Sequence, residues 1–268
     1  MSSEKKHQKI FITGGSSGIG LAVAKLFAIK GFDVLITSID KDELDIAIRS
    51  IKELSPHSTI DGFIIDLSKE ASTSLMYKTV MRMMPEPDIV VNNAGFGTYG
   101  FINNMDMERE IGMIHLMVMN LYQSSRLFLS DMMKRNQGCI INISSISAFQ
   151  PNPTLATYGA CKAFVYQWTR SVSEELKTIK SAVRCIAICP TPVRTNFQKE
   201  AGMGNSALFT SWMVVEPELV AKEIYNVFLS GKDYIIPGKL FHFLGIFSRR
   251  LPEGLLIWMA KNHLKEKV

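Results

Sequence analysis

Tyr158 stands four positions before Lys162 in the stretch TYGACKAF, residues 157–164. Residues three or four apart on a helix share a face, so the two side chains can act together. A free phenol titrates at about pH 10, too high for easy proton exchange near neutrality. A neighbouring ammonium favours the phenolate and lowers that value. Any amphipathic helix makes such pairs by chance, so spacing alone leaves an ordinary surface pair as the alternative. A second candidate lies near the start, in Thr13-Gly14-Gly15-Ser16-Ser17-Gly18-Ile19-Gly20. Glycines permit a tight turn and close backbone approach. The N–H groups at the head of the following helix, with its positive dipole end, suit a pyrophosphate. The spacing Gly-x3-Gly-x-Gly differs from the common G-x-G-x-x-G, so its position between a first strand and a first helix is the stronger signal.

The elements that must position these residues alternate along the chain. Short apolar runs at 9–13, 33–37, 59–66, 88–92, 139–144, 182–190 and 234–238 read as strands. Helical periodicity fills 18–31, 42–54, 68–83, a Met-rich stretch over roughly 105–135, then 155–177 and 217–233. Strands of about five residues with near-continuous apolar character belong to a parallel sheet covered on both faces. Repeated βα units predict an open doubly wound sheet, with the ligand crevice beyond the carboxyl ends of its strands. Residues just after strands are therefore the ones to search for function.

Composition narrows the classes. The chain has 268 residues, 47% of them hydrophobic, enough for one large α/β core. A net charge of +5, spread without a basic stripe, reads as a solvated surface and argues against nucleic-acid binding. The polar start MSSEKKHQKI lacks the apolar segment of a signal peptide, and no apolar run reaches the length of a membrane span. Cys139, Cys161, Cys185 and Cys189 read as buried free thiols in a reducing, cytoplasmic compartment. No Cys or His spacing predicts a metal site.

Four motifs in order, TGGSSGIG (13–20), NNAG (92–95), NISS (142–145) and YGACK (158–162), resemble the short-chain dehydrogenase/reductase family over roughly residues 8–195. The resemblance implies a single Rossmann-like domain over 1–268, with helices on both faces of a doubly wound parallel sheet. It implies a catalytic set of Asn120, Ser145, Tyr158 and Lys162. Tyr158 would exchange a proton with a carbonyl or alcohol oxygen, and Ser145 would hydrogen-bond that oxygen. Lys162 would hold the nicotinamide ribose and lower the Tyr158 pKa, and Asn120 would hold a water linking Lys162 to solvent. Ser144 is the neighbouring decoy. Cofactor contacts are expected from Gly14, Ser16, Ser17, Gly18, Ile19, Gly20, Ser38, Asp66 and Leu67. Further contacts are expected from Asn92, Asn93, Ala94 and Gly95 below the cofactor, and from Tyr158, Lys162, Pro190, Val193 and Thr195.

Two departures stand out: Cys161 directly before the lysine, and CPTPV (189–193), with Thr191 where the family has glycine. NAD-preferring relatives carry an acid at the position of Ser38, and NADP-preferring ones a basic residue at Ser17 or Ile39. Both are absent here. NADP is the expected preference, its 2′-phosphate met by Ser17 and Ser38 with Lys41 as countercharge, and NAD is the second choice. The expected substrate is an apolar or lipid-like ketone or alcohol, of 3-oxoacyl or 3-ketosphinganine type. Residues 191–215 read as a lid, with Phe197, Met203, Leu208, Phe209 and Trp212 either over the substrate or simply packed on the core. The basic and apolar tail 239–268 either docks on the protein or touches a membrane surface. A homodimer or homotetramer through the 105–135 and 155–177 helices is implied. A non-catalytic NAD(P)-binding sensor or scaffold is the alternative function.

Overall fold

The structure, a computed structural model, describes residues 7–203 and 214–238 together with Gly254. Seven strands form one sheet: β1 (Lys9–Ile12), β2 (Asp33–Ser38), β3 (Ile60–Ile64), β4 (Ile89–Asn92), β5 (Cys139–Ile143), β6 (Arg184–Ile188) and β7 (Tyr234–Ile235). All neighbours are parallel, in the order β3-β2-β1-β4-β5-β6-β7. This is the expected Rossmann-like doubly wound sheet, and the strand order reverses between β1 and β4. A crevice opens at such a switch point, outside the carboxyl ends of the strands.

Alternation along the strands feeds two cores. Ile10, Ile12, Val34 and Ile36 face α1 (Gly18–Ile29) and α8 (Pro217–Ser230), packing with Val23, Phe27, Ile224 and Val227. Phe11, Leu35, Val90 and Ile140 face the other way, onto Met76 and Val80 of α3 (Ser72–Met83) and Phe128, Leu129 and Met132 of α5 (Leu121–Lys134). All four cysteines are buried, and none forms a disulfide.

The remaining helices are α2 (Lys41–Leu54), α4 (Met107–Ile114), α6 (Ala156–Thr178) and the single turn α7 (Phe197–Glu200). Three of the differences from expectation have a visible local cause. The third helix begins at Ser72, not residue 68, because the Asp66 carboxylate accepts from the Ser68 amide and hydroxyl at 2.9 and 2.6 Å, holding a non-helical turn. The single helix expected over 105–135 is interrupted by a π-helical turn, His115–Asn120, between α4 and α5. Such turns insert an extra residue and re-aim side chains, often beside functional sites. The last strand stops at Ile235, and Pro237 beyond it has no N–H to extend the ladder.

Candidate active site

The glycine turn is held from three sides. Thr13 Oγ1 accepts from the amides of Asn93 and Ala94 at 3.0 and 3.1 Å. The Asn93 side-chain amide donates back to the carbonyls of Thr13 and Gly14 at 3.0 and 2.9 Å. The amides of Gly14 and Gly15 donate to Thr37, at its Oγ1 (3.3 Å) and its carbonyl (2.9 Å). Gly14 has φ +64, and a Cβ on Gly20 would stand 2.1 Å from the Gly14 carbonyl oxygen. No other residue type fits at Gly20.

The head of α1 is left open. Its N-cap Ser17 makes no side-chain cap bond, and its first turn carries no acid. The first amides of any helix lack intrahelical partners, and they lie at the positive end of its dipole. The head of α2 is the opposite: Asp40 accepts from the Glu43 amide at 2.8 Å, and Asp42 and Glu43 follow in the first turn. The residues at α1 therefore fit the pyrophosphate of a dinucleotide.

The end of β2 supplies the next group. Ser38 is buried, and its hydroxyl accepts from Ser16 Oγ at 2.9 Å and from the Asp40 amide at 3.1 Å. Ser16 Oγ also lies 3.4 Å from Oε2 of Glu43, a residue that no sequence motif singles out. Ile39 is exposed and Leu67 buried. Asn92 corrects an expectation. It does not line the crevice, because strand alternation turns it into the core. There its side chain bonds Ser125 at 3.0 Å, Asn142 at 2.8 Å and Ser124 at 2.8 Å. Asn93, one residue on, takes the crevice side.

Strand β5 leads into Ser144 and Ser145, which part ways. Ser144 Oγ donates to the Lys162 carbonyl at 2.7 Å and is thereby committed to α6. Ser145 stands near enough to the Tyr158 hydroxyl to lower its pKa, and it accepts from the Ser147 amide at 3.1 Å. Lys162 is buried, 6% exposed, with its ammonium donating to the Ile143 carbonyl at 2.9 Å and lying 5.6 Å from the Tyr158 ring centre. Gly95 packs close to the π-helical turn: a Cβ there would sit 3.0 Å from Met117 Sδ.

The pKa expectation for this pair needs correction. Burial pushes the Tyr158 phenol up to about 12, and the nearby Ser145 only partly offsets it. Burial also pushes the Lys162 ammonium down to about 8. In the protein alone, desolvation is the largest influence on both groups. Asn120 lies buried in the π-helical turn, its side chain donating to Thr73 Oγ1 at 2.8 Å. Among the described residues, no hydrogen bond joins that side chain to Lys162.

The loops after β6 close the site. Pro190 accepts from the Ile146 amide at 2.9 Å, Val193 pairs with Val215, and the Thr195 side chain abuts Gly18. The Thr191 hydroxyl is buried with no hydrogen-bond partner among the described residues. Phe197 of α7 leans on Tyr158, ring centres 5.2 Å apart, in a cluster with Tyr99, Leu155, Ala201 and the fully buried Met203. Arg109, also not foreseen, holds α7 down: it donates to the Glu200 carbonyl at 2.7 Å and stacks on Phe96. Leu208, Phe209, Trp212 and the tail 239–268 lie outside the described residues, Gly254 excepted. No group of three potential metal ligands occurs among the described residues, and none of their helices is long and apolar enough to cross a membrane.

The family model for short chain dehydrogenase matches residues 8–205. The 3-oxoacyl-[acyl-carrier-protein] reductase FabG of Chlamydia trachomatis is 28% identical over 242 residues, covering 88% of this chain and 95% of its own. An uncharacterized oxidoreductase of Bacillus subtilis, YvrD, is 31% identical and covers 71% of each chain. Among solved structures, a short-chain dehydrogenase from Sphingobium yanoikuyae in complex with NADPH superposes with a TM-score of 0.80 at 25% identity, covering 93% of this chain and 95% of the other.

Proposed function

The chain belongs to the short-chain dehydrogenase family, and from that premise we propose that it is an NAD(P)(H)-dependent oxidoreductase that interconverts a ketone and a secondary alcohol. The observation that carries this reading is the meeting of Ser145, Tyr158 and Lys162 at the carboxyl end of β5, opposite the open head of α1. When bound, the reduced nicotinamide supplies a hydride to the carbonyl carbon. Tyr158 donates its phenolic proton to the carbonyl oxygen, and Ser145 hydrogen-bonds that oxygen. Lys162 holds the ribose hydroxyls and steadies the phenolate that forms. Burial raises the Tyr158 phenol, which keeps it protonated at neutral pH and able to donate. Asn120, whose side chain donates to Thr73 Oγ1 at 2.8 Å, would hold a water that links Lys162 to solvent.

In the finer reading, NADP(H) is the preferred cofactor, met by Ser17, Ser38 and Lys41. The substrate is apolar or lipid-like, which the cluster of Tyr99, Leu155, Phe197 and Met203 around Tyr158 supports. The similarity to a 3-oxoacyl reductase points the same way. Exposed apolar side chains on α5 and α6, among them Tyr122, Leu127, Met133 and Phe164, support a homo-oligomer. The interleaved basic and apolar residues of 239–268 support peripheral membrane contact. The test is the loss of NADPH and NADH absorbance over a panel of ketones: short oxo-esters, 3-oxoacyl thioesters, steroids and 3-ketosphinganine. Turnover, fastest with the apolar members, is expected. Tight cofactor binding with no turnover on any member would favour a non-catalytic sensor.

A further inference from the structure

We propose that the Glu43 carboxylate sets the balance between the two nicotinamide dinucleotides, holding the advantage of NADP(H) to a narrow margin. The inference rests on the cofactor reading above and deepens it. In a doubly wound sheet the adenosine ribose lies at the end of the second strand, where an acid about 20 residues past the glycine turn holds its 2′-hydroxyl. Ser38 occupies that place here, twenty residues after Gly18, and carries no charge. Its hydroxyl is joined to Ser16 of the glycine turn at 2.9 Å, so the two serines close the crevice where the ribose edge falls. Glu43 reaches the same point from the first turn of α2, with Oε2 3.4 Å from Ser16 Oγ. The acid missing at the end of β2 is thus replaced by one entering from the side.

Two consequences follow from charge. A carboxylate at this point accepts a hydrogen bond from a ribose 2′-hydroxyl and repels a 2′-phosphate. Among the described residues no cation lies within ion-pair distance of Glu43, so the carboxylate is not neutralised locally. Lys41, also exposed, is the opposing charge on the same helix, and Asp40 is turned to the Glu43 amide as the helix cap.

The test is fluorescence titration of NADPH and NADH into the full-length protein, its Glu43→Gln variant and an Asp42→Asn control. Asp42→Asn removes the same charge one position away, from a residue with no bond to either serine. Glu43→Gln is expected to shift the ratio of NADPH to NADH affinity toward NADPH by about tenfold, or about 1.4 kcal/mol, with Asp42→Asn within twofold of wild type. NADH binding by the same variant reports that it is folded. A ratio unchanged in Glu43→Gln, or shifted equally by Asp42→Asn, would overturn the assignment while leaving the cofactor reading intact. Failure of the wild type to bind either dinucleotide would overturn both.

Discussion

Around β1 and β2 the crevice is lined by backbone: glycines at 14, 18 and 20, and the uncapped amides of α1. Around β5 and α6 it is lined by side chains taken out of water: Tyr158 raised to about 12 and Lys162 lowered to about 8. The first half binds by shape and needs atoms to be absent. The second half works by chemistry and needs charges held where burial disfavours them. The contrast continues between helix ends: α2 commits its first amides to its own Asp40, whereas α1 keeps its amides for a ligand. Stability and function therefore diverge in both halves: through an uncapped helix head in the first and a buried ammonium in the second.

The largest effect should come from filling the backbone half. Gly20→Ala would place a carbon 2.1 Å from the Gly14 carbonyl oxygen, so the turn must open. NADPH and NADH affinity should both fall by about a hundredfold or more, roughly 3 kcal/mol, as measured by titration, with circular dichroism reporting the fold. Affinity within tenfold of wild type would show that close approach is not what the turn provides.

Relieving the chemical half should do the reverse. Lys162→Met should abolish turnover yet raise stability at pH 7. The native pKa near 8 lies below the ordinary lysine value of 10.5, so the unfolded state binds more protons between those values. Wild-type stability should consequently rise with pH through that window, and the cost of the buried ammonium should be fully present below it. The variant should gain on the order of 1–3 kcal/mol at pH 7, in urea unfolding, and the gain should shrink toward pH 10. Parallel stability curves would contradict the burial argument.

The smallest effect separates the two helix heads. Asp40→Ala should cost about 1 kcal/mol through loss of the α2 cap. Ser17→Ala at α1 should cost less than about 0.5 kcal/mol, because Ser17 makes no cap bond. Equal losses in thermal unfolding would erase the distinction.

The sheet and its crevice were legible because apolar runs of strand length alternate with helical periodicity. Every strand lies within its predicted run, apart from Ser38, one residue beyond the second. The glycine turn was legible because its spacing encodes a backbone geometry. Ser145 could be told from Ser144 only by resemblance, and the structure shows the physical difference: one hydroxyl faces Tyr158, the other a helix carbonyl. What stayed hidden depended on distant segments meeting. The pKa of Tyr158 depends on burial that spacing does not express. Asn92 faces the core because of strand register, and Glu43 reaches Ser16 across 27 positions. The break in the Met-rich helix left no glycine or proline inside 115–120 to signal it.

The most direct measurement is single-turnover oxidation of bound NADPH by the best ketone of the panel, in wild type and Tyr158→Phe at pH 7. With Tyr158 as proton donor, the variant should be slower by about a hundredfold to ten-thousandfold with NADPH affinity within about threefold. Equal rates in the two proteins would contradict the assignment of proton transfer to Tyr158.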